Sequence, residues 1–183
     1  MALKSLFPED MMSVSNNQRD RNPLLSNEGV SLLQYRIQQE EQSSRIYQSM
    51  SLWLNNEGYT GAASLWLKYS QEELVHADFS RQYLLSMGVT PSVPTLNAET
   101  TVYKGLPQIV EMSYDHEIVI TKQLKEFADK SFKSGDYMLY TLAFQFLKEQ
   151  VEEHDKMQTW IDKLKAFGTD RIALRLLDEE MGK

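Results

Sequence analysis

From residue 26 onward, apolar residues recur at alternating steps of three and four, the period of a helix with one buried face. The first such row reads Leu33, Ile37, Glu40, Ser44, Tyr47, Ser51 and Leu54, and predicts a helix over residues 26–55 with Ser26 or Asn27 as N-cap and Glu28 in the first turn. Asn55-Asn56-Glu57-Gly58 breaks it. A second helix, residues 60–87, carries Trp66, Tyr69, Glu73, His76, Ser80, Tyr83 and Met87 on its stripe. A third, 106–133, carries Leu106, Val110, Ser113, Glu117, Ile120, Leu124 and Phe127. Ser134-Gly135-Asp136 then turns the chain into a fourth, 137–167, with Leu139, Ala143, Phe146, Gln150, Glu153, Met157, Trp160 and Leu164. After Gly168, Thr169 is placed to cap a short fifth helix over 170–181 with Ile172, Leu176 and Leu177 along one side.

Residues 88–104 have no helical period and contain Pro91 and Pro94. Extended, this connection spans roughly 55 Å, whereas a helix of about 28 residues is about 42 Å long. It can cross the whole bundle and start the third helix at the end where the second began. The predicted class is all-α: a four-helix bundle with a long crossover between helices 2 and 3 and a short C-terminal helix. The preceding segment, residues 1–23, lacks sustained periodicity and is expected to be a flexible or surface-docked extension.

The polar residues that interrupt the apolar stripes agree in height. Glu40 precedes the turn at Glu57 by 17 residues and Glu73 follows it by 16, so folded antiparallel they meet side by side. Around Gly135 the same holds for Glu117, 18 residues before, and for Gln150 and Glu153, 15 and 18 after. Glu40 to Glu73 and Glu117 to Gln150 are both separations of 33, each with a partner three residues on, His76 and Glu153. The chain therefore reads as two halves related by a pseudo-twofold axis, with Glu73-x-x-His76 in one and Gln150-x-x-Glu153 in the other. Residues three apart share a helix face, and Glu-x-x-His is the ligand pair that carboxylate-bridged di-iron bundles use. Burying several unpaired carboxylates at one level costs several kcal/mol each, roughly, and a multivalent cation removes that cost. His116 and His154 sit beside the proposed ligands but off the stripes and are expected at the surface or in support of the ligands. Trp53, Trp66, Trp160 and the methionines are expected to pack the core or a subunit contact.

Composition narrows the chemistry. The 183 residues, 42% of them hydrophobic, suffice for one full-sized domain. The net charge of −7 disfavours a nucleic-acid partner, and no apolar run approaches a membrane span or a secretory leader, so a cytoplasmic location is expected. With no cysteine, iron–sulfur and thiolate zinc sites are excluded, and with three histidines any metal is held mostly by oxygen. Carboxylates with one imidazole suit Fe(II).

From about Leu24 to Met181, the chain resembles the non-haem bacterial ferritins, in helix order, in the crossover, and in the set Glu40, Tyr47, Glu73-x-x-His76, Glu117 and Gln150-x-x-Glu153. Residues 24–183 would then form a ferritin-like di-iron domain. The resemblance implies a ferroxidase centre in each bundle: Glu40, Glu73 and His76 on the first iron, Glu73 bridging to a second held by Glu117 and Glu153, Gln150 beside it, and Tyr47 close by. It also suggests a third, outlying iron position from Glu72, Glu149, Glu152 and Glu153. It implies Fe(II) as substrate, dioxygen or hydrogen peroxide as oxidant, and a hollow cage of 24 subunits storing ferric mineral. No methionine is placed as a haem axial ligand, and no haem is expected. The extension is longer than is usual for the family. The competing expectation is a soluble di-iron oxidase or oxygenase with a small organic substrate; Gln150-x-x-Glu153, in place of a second Glu-x-x-His, counts against it.

Overall fold

The computed structural model describes residues 24–183; the proposed extension, 1–23, lies outside the described residues. Five helices follow in order: α1 (Asn27–Asn56), α2 (Thr60–Ser86), α3 (Leu106–Lys133), α4 (Tyr137–Phe167) and α5 (Arg171–Met181). The bundle predicted from the stripes is the one observed. α1 packs chiefly on α2 and α3 on α4, as two antiparallel hairpins.

Local chemistry sets the boundaries. Ser26 Oγ accepts the Gly29 amide at 3.0 Å and starts α1, and the Asp136 carboxylate does the same for Leu139 in α4. Gly58 and Gly135, with φ of 88° and 72°, make the two hairpin turns in a conformation that favours glycine. At α5 the cap is Asp170 rather than Thr169. Its carboxylate accepts both the Ile172 and Ala173 amides, at 2.8 and 3.1 Å, and a charged acceptor suits a helix N-terminus better than a hydroxyl.

The crossover runs along α1 in the same direction. Gln34 Oε1 accepts the Ser92 amide, Gln38 Nε2 donates to the Thr95 carbonyl, Gln42 Oε1 accepts the Asn97 amide, and Tyr103 meets Trp53 edge-on. Glutamine side chains at i, i+4 and i+8 thus satisfy a backbone that has no ladder of its own.

The core consists of two apolar clusters. One gathers Leu33 and Ile37 of α1, Leu84 of α2, Leu124 and Phe127 of α3 and Phe146 of α4. The other gathers Tyr47 and Leu54, Trp66 and Tyr69, Ile109 and Val110, and Met157 and Leu164. On α1 to α4, Glu40, Glu73, Glu117 and Gln150 fall between the two. No helix among the described residues is long and apolar enough to cross a membrane.

α5 is tied to the bundle by contacts that its own sequence does not announce. α2 has no side-chain cap from its flanking residue, and the Asp178 carboxylate of α5 accepts the Ala62 amide instead, at 2.7 Å. A carboxylate at that end also meets the positive pole of the helix dipole. Leu177 is buried beside it, whereas Ile172 and Leu176 face outward along the same helix. Gly61 allows the approach: a Cβ there would run into the Asp178 carbonyl oxygen and stand 3.0 Å from the Gly182 amide nitrogen. Gly61→Ala is therefore expected to destabilise the chain by about 1–3 kcal/mol through overpacking. Denaturant unfolding would read this as a lowered midpoint; an unchanged one would mean that α5 docks otherwise.

Candidate metal centre

Glu40 comes from α1, Glu73 and His76 from α2, Glu117 from α3, and Gln150 and Glu153 from α4. All six line one cavity, closed on its apolar side by Ile120, Leu124 and Phe146. Glu40, Glu73, Glu117 and Gln150 are 4, 7, 2 and 6 % exposed, which ordinary surface acids never are. One ligand atom each from Glu40, Glu73 and His76 lie within 4.8 Å of one another, close enough to share an ion.

The second half is built around Glu117. Gln150 Nε2 donates to Glu117 Oε2 at 2.6 Å, and the buried Tyr47 hydroxyl donates to Oε1. Both oxygens of this carboxylate are thus oriented before any ion arrives. Tyr47 stands edge-on to His116, whose Nε2 is 2.8 Å from Ser43 Oγ. His116 is thus half-buried beside Tyr47. His154 of α4 pairs with Thr121 Oγ1 of α3 at 2.8 Å.

Electrostatics follow from burial first. Desolvation pushes Glu73 well above the usual carboxylate range, and the charges of Glu40 and Glu117 push it further. Burial also raises Glu117, against the hydrogen bonds from Tyr47 and Gln150, and raises Glu153 against the nearby Lys156. Glu40 differs. Burial raises it, but the charge and hydrogen bond of Arg36 outweigh burial and hold it below the usual range. His76 loses basicity by burial and regains more from Glu73, Glu40 and Glu149, ending at about 9. His116 is lowered to about 4 by burial and then by Arg36, so it is neutral at pH 7. The Tyr47 phenol is raised well above 10 by burial and by Glu117, and so keeps its proton.

The proposed outlying set is only partly gathered. Glu72 and Glu153 share the Lys156 ammonium, at 3.5 and 2.9 Å. Glu149 reaches to 4.0 Å from His76 Nε2, and Glu152 is exposed. A third ion on these residues would meet Lys156 in its place.

Two cations beside the carboxylates escaped the reading of the stripes. Arg36 is 2 % exposed and donates from Nε to Glu40 Oε1 at 2.5 Å. Its i,i+4 spacing to Glu40 was the available signal, but that spacing usually describes a solvated surface pair. Lys156 follows Glu153 by three residues, with the same ambiguity.

Comparison with known proteins agrees with this geometry. Residues 30–167 match the Ferritin-like domain family. A Haemophilus influenzae protein named "Probable bacterial non-heme ferritin-like protein" is 31% identical over 87% of this chain and 96% of its own. The "Bacterial non-heme ferritin" of Escherichia coli O157:H7 is 29% identical over 86% of this chain and 96% of its own. Among solved structures, an open pore ferritin from the archaeon Archaeoglobus fulgidus superposes with a TM-score of 0.84 at 26% identity, covering 87% of this chain and 97% of the other. With the bundle, the crossover and the buried carboxylate layer in place, the chain belongs to the ferritin family.

Proposed function

We propose that the protein is an iron-storage ferritin: Fe(II) binds as a pair in the carboxylate layer, is oxidised there to Fe(III), and passes to a mineral held inside a cage of 24 copies. The observation that carries the reading is the convergence of Glu40, Glu73, His76, Glu117 and Glu153 from four helices on one buried cavity.

In this reading, Glu40, Glu73 and His76 hold one ion, Glu117 and Glu153 the other, and Glu73 lies between them. Two Fe(II) ions supply two electrons to one dioxygen, which takes up two protons and leaves as hydrogen peroxide; with peroxide as oxidant, the same electrons and protons yield two waters. Gln150 and Tyr47 keep Glu117 turned toward the ions. Hard oxygen ligands favour Fe(III) over Fe(II), and carboxylates without thiolate let it exchange. Assembly into a cage accounts for the apolar side chains that the helices leave outward, among them Val75, Ile172 and Leu176.

An organic-substrate oxidase finds less support. The cavity is lined mostly by ligand groups, with only Ile120, Leu124 and Phe146 to receive an apolar substrate.

Light scattering on the purified chain, followed by excess Fe(II) in air, tests the proposal. A particle of several hundred kilodaltons that oxidises and retains far more iron than its centres can ligate is the expected outcome. A small species that stops near two irons per chain would point instead to a di-iron oxidase.

A further inference from the structure

Arg36 is a permanent cation inside the layer that the preceding reading assigns to iron. Its Nε holds Glu40, its Nη1 donates to Gln123 Oε1 at 3.3 Å, and its Nη2 is buried with no hydrogen-bond partner. Gln123 Nε2 in turn donates to Gln39 Oε1 at 2.8 Å. The guanidinium is therefore anchored on one side and loosely satisfied on the other. Among the described residues, its only ion-pair partner is Glu40.

Charge counting gives this pair a consequence. Glu40, Glu73, Glu117 and Glu153 carry four negative charges when ionised, which two divalent ions balance. Arg36 leaves the metal-loaded layer with one positive charge in excess, in a medium where like charges interact strongly. Lys156 adds no such excess, because Glu72 lies beside it as a further partner. In the metal-free chain the sign reverses, and Arg36 relieves the crowding of buried carboxylates.

We propose that Arg36 is a positioning residue that competes with the metal for Glu40: it neutralises Glu40 in the metal-free chain and weakens the hold on the ion ligated by Glu40, Glu73 and His76. This inference rests on the ferritin reading of the centre. Its effect is to keep the first position exchangeable, so that an oxidised ion is displaced rather than trapped when the guanidinium returns to Glu40.

Zinc(II), which undergoes no oxidation, isolates the binding step. Competition titration with a chromophoric chelator on the full chain is expected to show Arg36→Gln binding zinc at least about tenfold more tightly than the natural chain. Arg36→Lys, which keeps the charge, is expected to stay within about threefold of it. Equal or weaker binding by Arg36→Gln overturns the proposal, as does Arg36→Lys binding as tightly as Arg36→Gln. If the natural chain binds no zinc at all, the metal-centre reading itself falls. Should Arg36→Gln fail to fold, a crystal structure of the natural chain with zinc decides. Arg36 Nε moved out of hydrogen-bonding reach of Glu40 supports the competition; an intact Arg36–Glu40 bond beside fully occupied zinc on the same carboxylate overturns it.

Discussion

Glu73→Ala is expected to abolish rapid oxidation of Fe(II) while leaving the assembled particle intact. Glu73 lies between the two halves of the centre, within ligand distance of Glu40 and His76 and in the same cavity as Glu117. On the proposed reading, removing it takes a ligand from the first position and the link to the second, so the loss should exceed the roughly 10–100-fold that follows removal of a merely supporting group. The fold loses little with it. A buried carboxyl that burial already pushes toward its neutral form contributes crowding rather than stability in the metal-free chain. Stopped-flow absorbance after mixing with Fe(II) in air gives the rate, and light scattering gives the particle. Fast oxidation by an assembled Glu73→Ala particle would remove Glu73 from the centre.

Metal binding should also release protons and tighten steeply with pH. In the metal-free chain the neighbouring carboxylates raise His76 to about 9, so at pH 7 it holds a proton that ligation must expel, and burial, which raises Glu73, works in the same direction. A group protonated when free and deprotonated when ligated favours the ligated form as pH rises. Each such proton makes the apparent affinity climb about tenfold per pH unit, up to the free group's own pKa. For His76 the climb should flatten near pH 9. Zinc titrations between pH 6 and 8, with proton uptake by the buffer measured calorimetrically, check both the slope and the count. An affinity flat across that range would mean that the ligands are already deprotonated in the free chain.

These two predictions draw on different layers of information. The position of Glu73 was legible in the sequence, because a carboxylate in an otherwise apolar stripe at matching distance from a turn has one place to go when the helices fold antiparallel. The same logic reached Glu40, Glu117 and Gln150. The pH behaviour was not legible. It depends on how many charges face one another across helices, and on which carboxylate Arg36 selects. Gln150 shows the limit well: its spacing located it at the centre, but only the packed structure turned its amide onto Glu117. Asp178 lay further out of reach, because its partner, the Ala62 amide, is 116 residues away in the chain.

By itself, the sequence determined the five helices, the crossover and the level at which carboxylates interrupt the core, because helical period, turn glycines and the length of an extended segment are properties of nearby residues. Tertiary structure alone decided which charges are paired there. Arg36 on Glu40, Lys156 between Glu72 and Glu153, and Asp170 rather than Thr169 at the start of α5 each depend on distances of a few ångströms between atoms. Coulomb energy and hydrogen bonding change over such distances, whereas the periodicity of a chain does not record them.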